Sequence, residues 1–162
     1  MFRQIGAILG LLVGSALAAP LDDQMAAFKS APTQTEGAVS QILQTGIKEH
    51  RSAEAFAAVR SWLAANPTSS QALLFHAGQA AEFGGEWEEA VGFYRKMLRA
   101  DRPDGRLAAI AVPATYRLLI NHLGNPEAAY LFMREDGGRL RKFGRAKQFD
   151  SWFLRKAQAR GD

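Results

Sequence analysis

The chain contains no cysteine. That excludes disulfides, thiolate metal sites and cysteine nucleophiles. It also excludes a lipid-anchored bacterial lipoprotein, because lipid attachment there requires a cysteine at the processing site. Glycine-rich phosphate loops, the G-x-S-x-G elbow and the H-E-x-x-H zinc signature are missing too. Valine and isoleucine are sparse and alanine is plentiful, which favours helix over sheet. No stretch alternates apolar and polar residues between turn signals, so no sheet is expected. The net charge of +4 is too small to demand a polyanion, and no nucleic-acid partner is expected. These absences point away from an enzyme, a cofactor or a metal centre.

What is present is the composition of an ordinary globular chain, 48% hydrophobic and 22% charged, which sets it apart from disordered sequences. Residues 1–18 read as a signal peptide. Arg3 supplies the positive start, residues 5–13 form an uncharged apolar run, and Ser15-Ala16-Leu17-Ala18 ends in the small-x-small pattern of a cleavage site before Ala19. The apolar run is shorter than the roughly 20 residues that span a bilayer. An exported protein without cysteine fits a bacterial periplasm or the cell exterior better than a disulfide-rich secretory pathway. Charge is unevenly placed: residues 134–162 carry nine Lys/Arg against four Asp/Glu, and the preceding residues eleven against twelve.

Turn signals divide the remainder into helices. Residues 19–35, polar and interrupted by prolines, read as a flexible lead-in with a short helix near 24–29. Thr33 and Glu36 form a capping box for a helix over 36–50. Ser52 caps a second helix that Asn66-Pro67 stops. A third helix covers 71–83 and ends at Gly84-Gly85. The fourth covers 86–100, before the break at residues 102–105. The fifth, 106–123, contains Pro113, which should kink it or delay its start. Asn125-Pro126-Glu127 opens a sixth, broken by Gly137-Gly138. A seventh covers 145–159.

Residues 54–67 parallel residues 89–103, and Ala55 lies 35 residues from Ala90. The segment 71–103 carries Leu74, Gly78 and Ala81, then Gly85, Trp87, Ala90, Tyr94, Leu98 and a closing Pro103. This resembles the tetratricopeptide repeat family, whose unit is about 34 residues. The small residues allow two helices to approach, and Trp87 and Tyr94 fill the space beside them. The first pair departs at Leu43, where a small residue is expected, and at His50, where the turn glycine is expected. The third aligns through Gly124, Ala129 and Met133. The resemblance covers residues 36–136. It implies an all-α fold of antiparallel helix pairs stacked as a short solenoid of about three repeats. Residues 137–162 would be a basic C-terminal capping helix, because a solenoid must cover its last apolar face.

The resemblance also implies that the first helices line a groove for a peptide or helix of a partner protein. The groove positions carried over are Ser40, Gln41, Gln44 and Lys48, then Phe75, His76, Gln79, Glu82 and Phe83, then Thr115, Leu118, Asn121 and His122. Their amides both donate and accept hydrogen bonds. His76 and His122 fall on equivalent faces without a third metal ligand in spacing. The tail offers a basic surface of Arg139, Arg141, Lys142, Arg145, Lys147, Arg155 and Lys156. Its aromatics fall on one stripe, which favours capping; the competing reading is a peripheral protein bound to an anionic membrane surface. Arg160-Gly161-Asp162 matches an integrin-binding tripeptide, a sequence short enough to arise by chance. The function expected is an exported protein–protein interaction module within an envelope or secreted assembly. Self-association into an oligomer is open to it.

Overall fold

The computed structural model describes residues 19–142. Among them every regular element is a helix: α1 Leu21–Ser30, α2 Glu36–Lys48, α3 Ser52–Ala65, α4 Gln71–Gly84, α5 Trp87–Leu98, α6 Gly105–Arg117 followed by a π-helical turn Leu118–His122, and α7 Pro126–Lys142. None of these helices is long and apolar enough to cross a membrane. The elements pack as pairs. Helix α2 lies on α3, α4 lies on α5, and the α6 segment lies on α7; α2, α4 and α6 also contact one another in order.

The pairs turn by a common device. Gly85 is left-handed at φ 86°, and the amides of Glu86 and Gly85 return to the carbonyls of Ala81 (2.9 Å) and Glu82 (3.2 Å). These two bonds satisfy carbonyls left open at a helix end. At the equivalent turn His50 takes the left-handed conformation at φ 59°, with Arg51 N–H to Gly46 O at 2.8 Å and His50 N–H to Ile47 O at 3.3 Å. The turn geometry therefore outranks the residue type. The third turn uses Gly124 at φ 57°. There the π turn inserts extra chain, so Asn125 N–H reaches back to Leu119 O.

Close approach comes from small residues. At Gly46 a Cβ would meet the Ala55 Cβ at 2.2 Å, and at Gly78 it would meet the Tyr94 ring at 2.6 Å. Gly46 and Ala55 recur 35 residues on as Ala81 and Ala90, both fully buried. The small-residue seam of the first pair is thus Gly46–Ala55, not the position of Leu43, which is buried in the core.

The pairs are tied together by a hydrogen bond that recurs. The first side chain of α2, Glu36, accepts the N–H of Ser70, the residue capping α4, at 3.2 Å. The first side chain of α4, Gln71, accepts the N–H of Asp104, the residue capping α6, at 2.7 Å. Each bond satisfies a backbone donor at the mouth of a helix. The first residue of α6 is Gly105, which has no side chain to continue the series.

Several sequence expectations are corrected. The short helix expected near 24–29 lies within α1, but residues 21–30 are docked and not flexible: α1 buries Leu21 and Phe28 against the core, and Arg51 clamps Asp22 with contacts of 2.7 and 3.1 Å. Thr35, not Thr33, caps α2, accepting from Ala38 N–H. Ser52 is the first helical residue of α3, not its cap. Helix α6 starts at Gly105, capped by Asp104, and continues through Pro113. Helix α7 runs through Gly137-Gly138 to Lys142. Glycine inside a helix costs only about 1 kcal/mol, and Asp136 is buried between Arg95 and Arg99, each Nε 3.0 Å away. That anchorage outweighs the glycine penalty. The boundary expected at residue 137 therefore falls inside α7, and the helix expected over 145–159 lies outside the described residues.

Two substitutions test these contacts by urea denaturation. His50→Gly relieves left-handed strain and should raise stability by about 1 kcal/mol. Gly46→Ala forces its methyl against Ala55 and should lower stability by about 2 kcal/mol.

Candidate functional site

The caps Thr35, Ser70 and Asp104 set a common register for α2, α4 and α6. Six residues beyond each cap stand Gln41, His76 and Ile110. Nine residues beyond stand Gln44, Gln79 and Pro113, and thirteen beyond stand Lys48, Phe83 and Arg117. Spacings of three and seven keep each set on one side of its helix. All nine residues are exposed or half-buried, with the middle helix the more covered because it has a neighbour on either side.

Hydrogen bonds show that the three helices lie side by side in the same direction. Near the starts, Glu36 meets Ser70 and Gln71 meets Asp104. In the middle, His76 Nδ1 lies 3.0 Å from Ser40 Oγ and 3.3 Å from Gln44 Nε2. Near the ends, Arg117 pairs with Glu82. Glu82 also accepts from the buried Tyr94 hydroxyl at 2.8 Å. Burial pushes the Tyr94 phenol well above its ordinary range, and the adjacent Glu82 carboxylate adds to it. Tyr94 is thus a fixed donor that aims Glu82 at α6.

On the α2 side the face opens into a hollow of about 420 Å³ lined by Gly37, Ser40, Gln41, Gln44, Thr45 and Lys48. A second cleft of about 360 Å³ lies between α1 and α2. Among the described residues no three His, Cys, Asp or Glu side chains gather to hold a metal ion. His76 and His122 have separate partners. His122 stacks on Trp87 with ring centres 4.2 Å apart, and His76 joins α2.

Several residues expected in the groove are placed elsewhere. Phe75 is buried against Tyr94 and belongs to the core. Thr115 and Leu118 are also fully buried, and the Thr115 hydroxyl donates to Ala111 O at 2.7 Å. Their positions were carried over in the wrong register. Counted from Asp104, the α6 face is Ile110, Pro113 and Arg117, while Ala108, Ala111, Thr115 and Leu118 form the core stripe. Asn121 and His122 are exposed but lie in the π turn, off the three rows. Gln41, Gln44, Lys48, His76, Gln79, Glu82 and Phe83 are accessible on or beside the face. Ile110, Pro113 and Arg117 were missed, and the Asp104 cap was the signal that would have found them. Of the basic residues, Arg139, Arg141 and Lys142 fall on α7, and Arg145, Lys147, Arg155 and Lys156 lie outside the described residues.

No protein-family model, curated protein or solved structure matches this chain. The candidate site therefore rests on its own geometry.

The half-buried His76 makes that geometry sensitive to pH. With Gln44 Nε2 and Ser40 Oγ donating to it, Nδ1 is an acceptor and the ring is neutral. Burial holds its pKa below the ordinary 6.5. The unfolded chain then binds the proton more tightly, so the stability from neutral His76 is complete above that ordinary value and is lost progressively as pH falls from there through the lower folded value. Between about pH 7 and about pH 5, urea midpoints should fall more for the native chain than for His76→Gln. Equal falls would show that His76 does not carry the effect.

Proposed function

We propose that the chain is a non-catalytic binding module, an exported member of the tetratricopeptide-like class. On this reading the pairs α2/α3, α4/α5 and α6/α7 are three repeats of a short solenoid. The face of α2, α4 and α6 is its groove, and the groove takes a segment of a partner protein in an envelope or secreted assembly. The observation that carries this is the register: three first helices in parallel present three rows, 41/76/110, 44/79/113 and 48/83/117, at equal distance from their caps. A face built by repetition offers equally spaced contacts to an extended or helical segment. Its chemistry is graded. Gln41, Gln44 and Lys48 make the α2 end polar, while Phe83, Ile110 and Pro113 make the α6 end apolar. Phe83 is 64% exposed and Ile110 52%, so both apolar side chains are accessible to a partner.

The test is crosslinked capture from envelope extract by three forms of the full chain. They are the native form, Gln41→Ala/Gln79→Ala/Phe83→Ala on the face, and Ala57→Glu/Lys96→Glu on the second helices. All three must first show equal helicity by circular dichroism. A protein held by the native and second-helix forms but lost by the face variant supports the groove. Equal capture by all three moves the site off this face.

A further inference from the structure

Helix α1 repeats α3 at the spacing that relates the pairs. Leu21 and Phe28 stand where α3 has Phe56 and Leu63 and α5 has Val91 and Leu98, and all of these are buried. Pro32-Thr33 after α1 recurs as Pro67-Thr68 after α3, and each leads into the cap of a first helix, Thr35 or Ser70. Charge joins the same helices in series: Asp22 of α1 pairs with Arg51 at the start of α3, Arg60 of α3 with Glu89 of α5, and Arg95 of α5 with Asp136 of α7. Helix α1 is therefore the second helix of a pair. It packs on α2 and α3, and among the described residues no first helix accompanies it.

The place of that first helix is a cleft. About 360 Å³ lies open between α1 and α2, where the lining includes Gln24, Ala27, Phe28, Ala38, Gln41 and Ile42. One pair further on, 35 residues along, these positions are Val59, Trp62, Leu63, Leu73, His76 and Ala77. There α2 lies over them: Ser40 and Gln44 meet His76, and Trp62 Nε1 donates to Gln34 O at 3.3 Å. Ala27 and Gln41 are exposed, whereas their counterparts Trp62 and His76 are half-buried. Gln24 carries a second sign of the missing neighbour. Its Nε2 donates to Ala19 O and to Thr45 Oγ1, and because Ala19 O can only accept, the amide cannot be reversed. Its Oε1 is left buried without a hydrogen-bond partner, a costly state for an acceptor. At the equivalent place on α5 the Tyr94 hydroxyl meets Glu82, a residue of its own first helix, at 2.8 Å.

We propose that this cleft docks one amphipathic helix of a partner protein, laid beside α1 and α2 as α2 lies beside α3 and α4. Repetition selects a helix parallel to α2, and the 13 and 14 residues of α2 and α4 set its length. Its inner face is small and aliphatic, to meet Ala27, Phe28, Ala38 and Ile42. Charge fixes the rest of its chemistry. Asp23 lines the cleft beside Gln24, and no Lys or Arg does. A Lys or Arg at the place that Glu82 holds on α4 would serve both the Asp23 carboxylate and Gln24 Oε1, and at the C-terminal end of the docked helix it also suits the helix dipole. A second copy of the chain has no such helix to offer, since α1 to α7 each contribute residues to their own buried core. The inference rests on the repeat register but not on what the groove binds.

The probe is a fluorescent peptide that copies residues 35–49, the helix filling the equivalent place one pair further on, with Ile47→Lys at the position of Glu82. Its anisotropy on titration with the full chain should saturate, with a Kd below about 100 µM. Ala27→Lys places a cation in the cleft and within reach of Asp23, and should weaken binding at least about tenfold. Asp23→Asn should also weaken it, and the copy that keeps Ile47 should bind less well than the Lys form. Gln79→Ala/Phe83→Ala on the groove should bind as the native chain does. All variants are first matched for helicity by circular dichroism. A titration that never saturates overturns the inference, as does equal binding by Ala27→Lys. Binding lost in the groove variant overturns it in favour of the groove. A native dimer in sedimentation that Ala27→Lys turns into a monomer overturns it in favour of a second copy. Partner capture by the groove is read separately, so either idea can fail alone.

Discussion

An N–H at the mouth of a helix has no partner within that helix, and here the previous first helix supplies one. Glu36 accepts from Ser70, and Gln71 accepts from Asp104. A capping residue has its position fixed relative to every later residue of its helix, so holding the cap holds the face. This is why rows 41/76/110, 44/79/113 and 48/83/117 line up although only Gln44 and Gln79 share a side chain. The net worth of each hydrogen bond is only about 1 kcal/mol. Its consequence is geometric: a slip of one residue would rotate a helix by roughly 100° and turn the face toward the core.

The second constraint is steric. Gly46 and Gly78 leave no room for a methyl group, so α2 and α4 meet their partner helices closely. At Gly78 the space goes to Tyr94, whose hydroxyl orients Glu82 toward Arg117. A glycine in the core thereby sets an ion pair on the candidate face. At the first turn the same economy works against residue preference. His50 occupies a left-handed position because the two turn bonds and the Gly46–Ala55 contact leave the backbone no alternative.

At the far end, Asp136 is held by Arg95 and Arg99, with Glu135 within 3.6 and 3.8 Å of the same two guanidinium groups. This cluster binds α7 to α5 and carries the helix through two glycines. It fixes the third pair from its second helix, whereas the first two pairs are joined most tightly through α4. The end pair is therefore anchored to its neighbour by charge, through α7 and α5.

The sequence by itself determined the helical class, the order of the pairs, the turn positions at Gly85 and Gly124 and the close approach at Gly78. These follow from local propensity, glycine chemistry and a 35-residue self-similarity, all of which act over a few residues or recur visibly. Gln41, Gln44, Lys48, His76, Gln79 and Phe83 were reached through the resemblance to the repeat family, and all six are exposed or half-buried on one side of their helices. Tertiary structure decided what depends on register and on distant partners. Thr115 and Leu118 went to the core, and Ile110, Pro113 and Arg117 came to the face, because Asp104 starts α6 where Gln71 can reach it; Phe75 went to the core because it packs against Tyr94 from α5. Leu21 and Phe28 turned a polar lead-in into a docked helix, since burial against α2 and α3 offsets weak helix signals. Asp136 overrode a double glycine because two guanidinium groups from another helix met it. A side chain's spacing is written in its own segment, but its neighbour is written in another, and only packing brings the two together.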